Sequence, residues 1–506
     1  MIVEGRTLSG AVTWDADVAI VGSGAGGAPV AHALARAGKN VVVLEAGPQL
    51  TDADMTQRVP DMLARLYWDR GARVTKDGAY TVSQGRCVGG STVHYTAWAM
   101  RPPRAILDHW AFHLRIAELD AASIDPHVEE VERMLSTRPV APHEVNEHNH
   151  LVARGADKLG LRGGFVHHNR VDCLGCGYCL LGCAYDRKQT MANTFLPSAL
   201  AAGARLVSDA HVERVLTRGA QVEGLRARLL DGSGAAVGTL TVKAPIVVLA
   251  AGTIHSPALL IKSGIGDASG QVGRNLVFHT TTTLFGLFDE EVAAHRGFAP
   301  SFVVDHFVDL DRHPDRGYFL VPAFAAPAAV APFIPGFGAK HAAAMRAYTR
   351  LAGLSVMLHD SSRGRVTVSA RGAPVIEYTL AAIDRGQLVE GMIAAGRLLF
   401  AAGAKEVYPS SPGGVAFTSP DQLESLTSIG RLENRVALNT PHPQGTCRMG
   451  ETRQDSVVDP WGRTHDVAGL YVSDMSVFPT SVAVPPSITT AALALRTAKH
   501  ILAATA

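Results

Sequence analysis

Four cysteines stand within eleven positions of the stretch VDCLGCGYCLLGCAYD (171–186): Cys173, Cys176, Cys179 and Cys183. The spacing C-x₂-C-x₂-C-x₃-C is that of bacterial ferredoxin loops, whose thiolates hold an iron–sulfur cluster. Gly175, Gly177 and Gly182 leave the backbone free to turn around such a group. In ferredoxins with two clusters the fourth cysteine of the run ligates the second one, and this chain carries no second set; Ala184 also replaces the usual proline. Two other readings stay open: tetrahedral zinc, and reduced thiols or a disulfide that only shape a loop. A cluster would accept electrons one at a time, so the choice bears on where electrons leave the protein.

A second group of residues is built for phosphate. In ADVAIVGSGAGGAPVAHALARAGKNVVVLEAGP, Gly22, Gly24 and Gly27 keep the G-x-G-x-x-G frame between an apolar strand, DVAIVG, and a helix ending at Gly38. NVVVLE then reads as a second strand closing on Glu45, eighteen residues after Gly27. Glycines permit the tight turn and the approach of backbone N–H groups to a pyrophosphate at the helix N-terminus, and the acid accepts from a ribose hydroxyl. This predicts a dinucleotide site without separating FAD from NAD.

The elements that position these groups come from a chain of 506 residues, 47% apolar and 18% charged, long enough for two domains interleaved in sequence. A formal net charge of +1 gives no electrostatic case for nucleic acid, so the expected partner is a small molecule. The amino terminus, MIVEGRTLSGAVTWDADVAIVGSG, lacks a basic start followed by an apolar run, which predicts a cytoplasmic protein unless a partner carries it across a membrane. Tyr318 to Ala339 is uncharged over 22 residues, but Pro322, Pro327, Pro332 and Pro335 would break a lone helix in lipid. We read it as an irregular apolar segment over a cleft or at a protein contact, and expect no transmembrane span.

Four further stretches carry a resemblance: GRCVGGSTVHYTAWAMRPP (85–103), AGTIHSPALLIKSGIG (251–266), HPQGTCRMG (442–450) and GLYVSDMSVFPTSVAVPPSITTAALAL (469–495). Together with the glycine-rich unit, their order resembles the glucose–methanol–choline (GMC) oxidoreductases from about residue 17 to the C-terminus, most weakly between 286 and 434. The resemblance implies an α/β fold: a discontinuous Rossmann-like FAD domain with an inserted α+β substrate domain on an antiparallel sheet. The implied division is FAD-binding at 1–115, 191–285 and 435–506, a cap with the cysteines at 116–190, and the substrate domain at 286–434. AHVERVL (210–216) and APIVVLAAG (244–252) read as strands returning to the dinucleotide sheet.

The resemblance also implies roles. Gly89, Gly90, Ser91 and Thr92 would wrap the pyrophosphate and flavin, Asp474 would contact the ribityl and diphosphate region, and the backbone of Val212 would meet the adenine. His94 stands where pyranose oxidase bonds a histidine covalently to its flavin; a histidine packed noncovalently by the ring is the alternative. His442 aligns with the family's active-site histidine, a residue suited to take an alcohol's proton while hydride leaves the carbon. The family's second polar residue, a histidine or asparagine after FPT, is replaced by Pro485, which has no donor or acceptor side chain.

The expected activity is therefore FAD-dependent removal of hydride from an alcohol or sugar hydroxyl carbon. Electrons would leave through a cluster on the four cysteines to an acceptor protein or quinone. An oxygen-using oxidase with a structural cysteine loop is the first alternative, and a lyase with a redox-silent flavin the second.

Overall fold

The computed structural model describes residues 1–506 except 299, 335, 412–414, 430, 431, 433, 434 and 506; Pro335 thus lies outside the described residues. Strands Val18–Val21 and Val41–Leu44 are buried at every position, as continuous apolar runs in a parallel sheet covered on both faces must be. Between them the helix Gly27–Arg36 buries Ala28, Val30, Ala31 and Leu34, and the chain turns at Gly38 in the left-handed region (φ 83°).

These strands form the centre of a six-stranded parallel sheet. Its order is Ile2–Glu4, Arg205–Ser208, Val41–Leu44, Val18–Val21, Ile246–Leu249 and Leu470–Val472, so the amino-terminal, middle and carboxy-terminal thirds are woven into one layer. One expectation is corrected. Ile246–Leu249 does join this sheet, but AHVERVL does not: Ala210–Arg218 pairs with Gln221–Leu230 in a separate four-stranded sheet completed by Ala236–Lys243 and Gly10–Asp15. The neighbouring RLVS, Arg205–Ser208, takes the place instead, because it is buried at three of its four positions while Ala210–Arg218 alternates.

The second core surrounds a larger, mainly antiparallel sheet. Thr281–Leu287 lies against Leu351–Leu358 with Thr281 opposite Met357, and Tyr318–Pro322 flanks the latter strand. The helix Ala382–Ala401 crosses this sheet at Gly391, where a Cβ would meet Val356 and Tyr318. The uncharged segment therefore starts as a buried strand, then breaks into short turns at Pro327–Val330 and Ala331–Phe333. Among the described residues, no helix is long and apolar enough to cross a membrane. The carboxy-terminal helix Ser487–Ala504 packs beside Gly27–Arg36.

Candidate active site

A cavity of about 590 Å³ runs from the glycine-rich turn to the large sheet. At one end Gly22, Gly24 and Gly26 form its wall, and steric demand fixes why Gly22 and Gly26 are glycines. A Cβ on Gly22 would strike the Ala250 carbonyl, one on Gly26 the Ser473 carbonyl, and one on Gly27 the Gly22 carbonyl. Gly27 is thus a packing residue outside the cavity wall, and Gly26 ties this turn to the carboxy-terminal segment.

Glu45 is buried, and burial holds its carboxyl above the usual range. Its Oε2 accepts from the Ser23 N–H (3.1 Å) and Oγ–H (2.7 Å), and its Oε1 from the Gly47 N–H (2.9 Å). Ser23 Oγ in turn accepts from the Gly89 N–H at 3.0 Å, so the acid braces the second glycine pair against the first. Gly89 and Gly90 are both left-handed (φ 93° and 58°), and a Cβ on Gly90 would press on the Gly24 backbone. Gly90, Ser91 and Thr92 line the cavity and Gly89 does not. The Ser91 hydroxyl accepts from the Gly85 N–H, and the Thr92 hydroxyl donates to the Gly89 carbonyl, so these side chains hold the loop. Val212 and Asp474 also line the cavity. Asp474 accepts from the N–H groups of Gly252 (2.9 Å) and Ser476 (2.8 Å) and from the Ser256 hydroxyl. Bare glycine backbone at a helix start, with two buried acids behind it, fits a dinucleotide.

His94 is on the same wall, its ring centroid 3.9 Å from that of Tyr67, and burial with nearby Lys188 lowers its pKa to about 3. Its buried Nε2 has no partner among the described residues, leaving it for a group bound in the cavity.

His442, like Pro485, also lines the cavity. Burial lowers its pKa to about 3, so the ring is neutral at ordinary pH. Its Nδ1 meets Nδ1 of His279 at 3.1 Å. The remaining ring nitrogen, Nε2, has no protein partner among the described residues. Beyond it the cavity becomes an apolar chamber bounded by Phe285, Val321, Phe324, Val330, Phe333 and Met357. Sequence reading anticipated the cleft under the uncharged segment but not His279, whose single clue is its place two residues before a strand.

The four cysteines are free and line one small recess with Arg170 and Lys188. Gly175, Gly177 and Gly182 are all left-handed (φ 65°, 80° and 88°). Among the described residues, no three His, Cys, Asp or Glu side chains converge to hold a single metal ion, so neither a zinc centre nor a disulfide is formed there. Arg170 and Lys188 are almost fully buried and make no close ion pair among the described residues; Cys173, Cys179 and Glu144 act on the charge of Arg170, and Cys179 and Cys183 on that of Lys188. The Lys188 ammonium donates to the Tyr95 and Cys179 carbonyls at 2.9 and 2.6 Å, and Arg170 lies over the Phe298 ring at 4.2 Å and donates to His168 Nδ1 at 3.2 Å. The loop also reaches the large cavity: Leu180 is on its wall and accepts a 2.7 Å bond from the Tyr67 hydroxyl.

Residues 63–281 and 360–494 match the amino- and carboxy-terminal models of the GMC oxidoreductases, and 20–82 match an NAD(P)-binding Rossmann-like domain. This chain belongs to the GMC oxidoreductase family. An uncharacterized GMC-type oxidoreductase of Mycobacterium tuberculosis is 36% identical over 492 residues, covering 96% of this chain and 76% of the relative. A long-chain-alcohol oxidase of Arabidopsis thaliana is 28% identical over 505 residues, 94% of this chain and 65% of the relative. In fold, this GMC oxidoreductase is similar to pyridoxine 4-oxidase from Mesorbium loti (TM-score 0.70, 20% identity, 96% of this chain and 99% of that one). It is also similar to a formate oxidase (TM-score 0.73, 17% identity, 98% and 99%). The protein is an FAD-type oxidoreductase, and the cradle described above is the part of it that suits the flavin dinucleotide.

Proposed function

We propose that this GMC oxidoreductase oxidises an alcohol with an apolar chain, with His442 Nε2 taking the hydroxyl proton. The observation that carries the reading is the position of His442: a neutral imidazole with a free nitrogen, where the dinucleotide cradle meets an apolar chamber. FAD, when bound, supplies the acceptor for the hydride. Gly22, Gly24, Gly90 and Asp474 would hold its diphosphate region, Glu45 its ribose, Val212 its adenine end and His94 its ring side. Acid precipitation separates the two readings of His94, since only a covalent flavin stays in the pellet.

Among the described residues, none that lines the chamber near Phe324 and Phe333 is charged, which favours an alkyl or aromatic chain over a polyhydroxylated sugar. The long-chain-alcohol oxidase among the relatives supports the same class. Incubating the flavoprotein with decan-1-ol and an artificial electron acceptor should yield the aldehyde, identified by mass. An enzyme that turns over glucose and leaves decanol unchanged would overturn the substrate class.

For the exit of electrons, Cys173, Cys176, Cys179 and Cys183 would hold an iron–sulfur cluster that passes them singly to a protein or quinone acceptor. Two buried cations facing the thiols, and Leu180 on the wall of the flavin cavity, support this. Protein purified without oxygen should carry about three or four irons per flavin, with matching acid-labile sulfide. Flavoprotein without iron would make oxygen the acceptor and the cysteines a structural loop, with peroxide formed during turnover.

A further inference from the structure

Behind His442 lies a buried chain of hydrogen-bonding groups that ends beneath an exposed turn. His279 Nδ1 is 3.1 Å from His442 Nδ1, and His279 Nε2 is 2.9 Å from Ser481 Oγ. Ser481 Oγ is 2.8 Å from His359 Nδ1, and His359 Nε2 is 2.8 Å from the Pro314 carbonyl oxygen, next to exposed Asp315. His279, Ser481 and His359 are 0%, 2% and 1% exposed.

We propose that His279, Ser481 and His359 form a proton wire that carries the substrate's hydroxyl proton from His442 to His359. The proposal rests on the reading of His442 as the base.

The far end fixes the resting direction. A carbonyl only accepts, so His359 Nε2 carries a hydrogen and, in a neutral ring, Nδ1 is a lone pair. The Ser481 hydroxyl must then donate to His359, and its oxygen accepts from His279 Nε2–H. His279 Nδ1 is left as a lone pair, which takes Nδ1–H of His442. Along this chain each bond follows from the one before, and the outcome is a bare Nε2 on His442, the state a base needs; the Gln444 amide N–H, 3.2 Å from His279 Nε2, competes with this direction and favours the shifted one.

When His442 Nε2 gains the substrate's proton, its Nδ1–H passes to His279 Nδ1. His279 Nε2–H passes to Ser481 Oγ, and the serine's own hydrogen passes to His359 Nδ1. One proton enters at His442 and one arrives at His359; no other group changes charge. The shifted arrangement is also fully bonded. Gln444 Nε2 lies 3.2 Å from His279 Nε2, and its amide is oriented by the Val482 N–H donating to its Oε1 (3.0 Å), so it donates to His279 once that nitrogen is bare. Burial holds the His359 ring below its ordinary range; against that, the bond to the Pro314 carbonyl and the charges of Asp315 and Asp384 favour the cation, and Arg363 opposes it.

The test uses the holoenzyme. The proton inventory of anaerobic flavin reduction, measured across H₂O–D₂O mixtures, should be curved in the wild type, because several protons move together. Ser481→Ala, which removes one oxygen, should keep bound flavin, slow reduction roughly tenfold to a hundredfold and make the inventory linear. His359→Gln should do the same. Without turnover, ¹⁵N-histidine NMR should show His442 as the Nδ1–H tautomer in the wild type and a mixture of tautomers in Ser481→Ala. A linear wild-type inventory, or Ser481→Ala at wild-type rate, would overturn the wire. A slow Ser481→Ala that keeps the curved inventory would also overturn it, leaving the serine a merely structural part. Unimpaired reduction in His442→Asn would instead overturn the base itself.

Discussion

His279 and His442 meet nitrogen to nitrogen, Nδ1 to Nδ1 at 3.1 Å, with their rings at 83°. Two neutral imidazoles can share one hydrogen there only if one donates and the other accepts, so each ring restricts the tautomer of its neighbour. Pro485, which replaces the family's second polar residue, lines the same cavity as His442. The polar support for His442 comes from behind the ring instead.

Replacing the base should separate chemistry from cofactor binding. His442→Ala removes the group that takes the proton and no part of the glycine cradle. Flavin content should match wild type, while the rate of substrate-driven flavin reduction falls about 10²- to 10⁴-fold. Stopped-flow absorbance under argon reads both quantities.

The cradle should be intolerant of a single methyl group. Gly26→Ala places a Cβ on the Ser473 carbonyl, forcing apart the amino- and carboxy-terminal segments. Flavin per protein should drop sharply, with a loss of stability of about 1–3 kcal/mol. Gly232→Ala, at an open position, should leave both unchanged.

The chamber should set chain length. Ala329 lines it beside Val330 and Phe333. Ala329→Phe should raise KM for decan-1-ol by roughly tenfold and leave butan-1-ol almost unaffected, because only the longer chain reaches that wall.

Acid should destabilise the fold through buried histidines. Burial lowers the pKa of His94 to about 3 and of His148 to about 4. The unfolded chain protonates these rings below about pH 6.5, whereas the folded chain does not until far lower pH. Unfolding therefore binds protons, and stability present above pH 6.5 is lost as pH falls toward 4. Each ring contributes up to about 1.4 kcal/mol per pH unit in that window. Denaturant midpoints at pH 7.5 and pH 5 check it, and the midpoint should be lower at pH 5.

Much of the cradle was legible because it is local: Gly22 to Glu45 is one strand, turn, helix and strand, and spacing alone places the glycines and the acid together. His442 and Asp474 were legible only within longer motifs. The network behind His442 was not. His279 and His359 are neighbours because Thr281 pairs with Met357, and continuing that register past the strand ends sets the two histidines opposite each other. Nothing in VFHTT or MLHDS announces that pairing. AHVERVL was misplaced for a different reason: its alternation of apolar with polar residues marks a strand with one face less buried, which suits the separate four-stranded sheet better than a parallel sheet covered on both faces.

The most direct test of the account is anaerobic mixing of the flavoprotein with primary alcohols of increasing chain length, following flavin absorbance. The account predicts bleaching by every alcohol the chamber admits, faster for longer chains, and lost in His442→Ala. A flavin that no alcohol bleaches would contradict it and point to a redox-silent role for the cofactor.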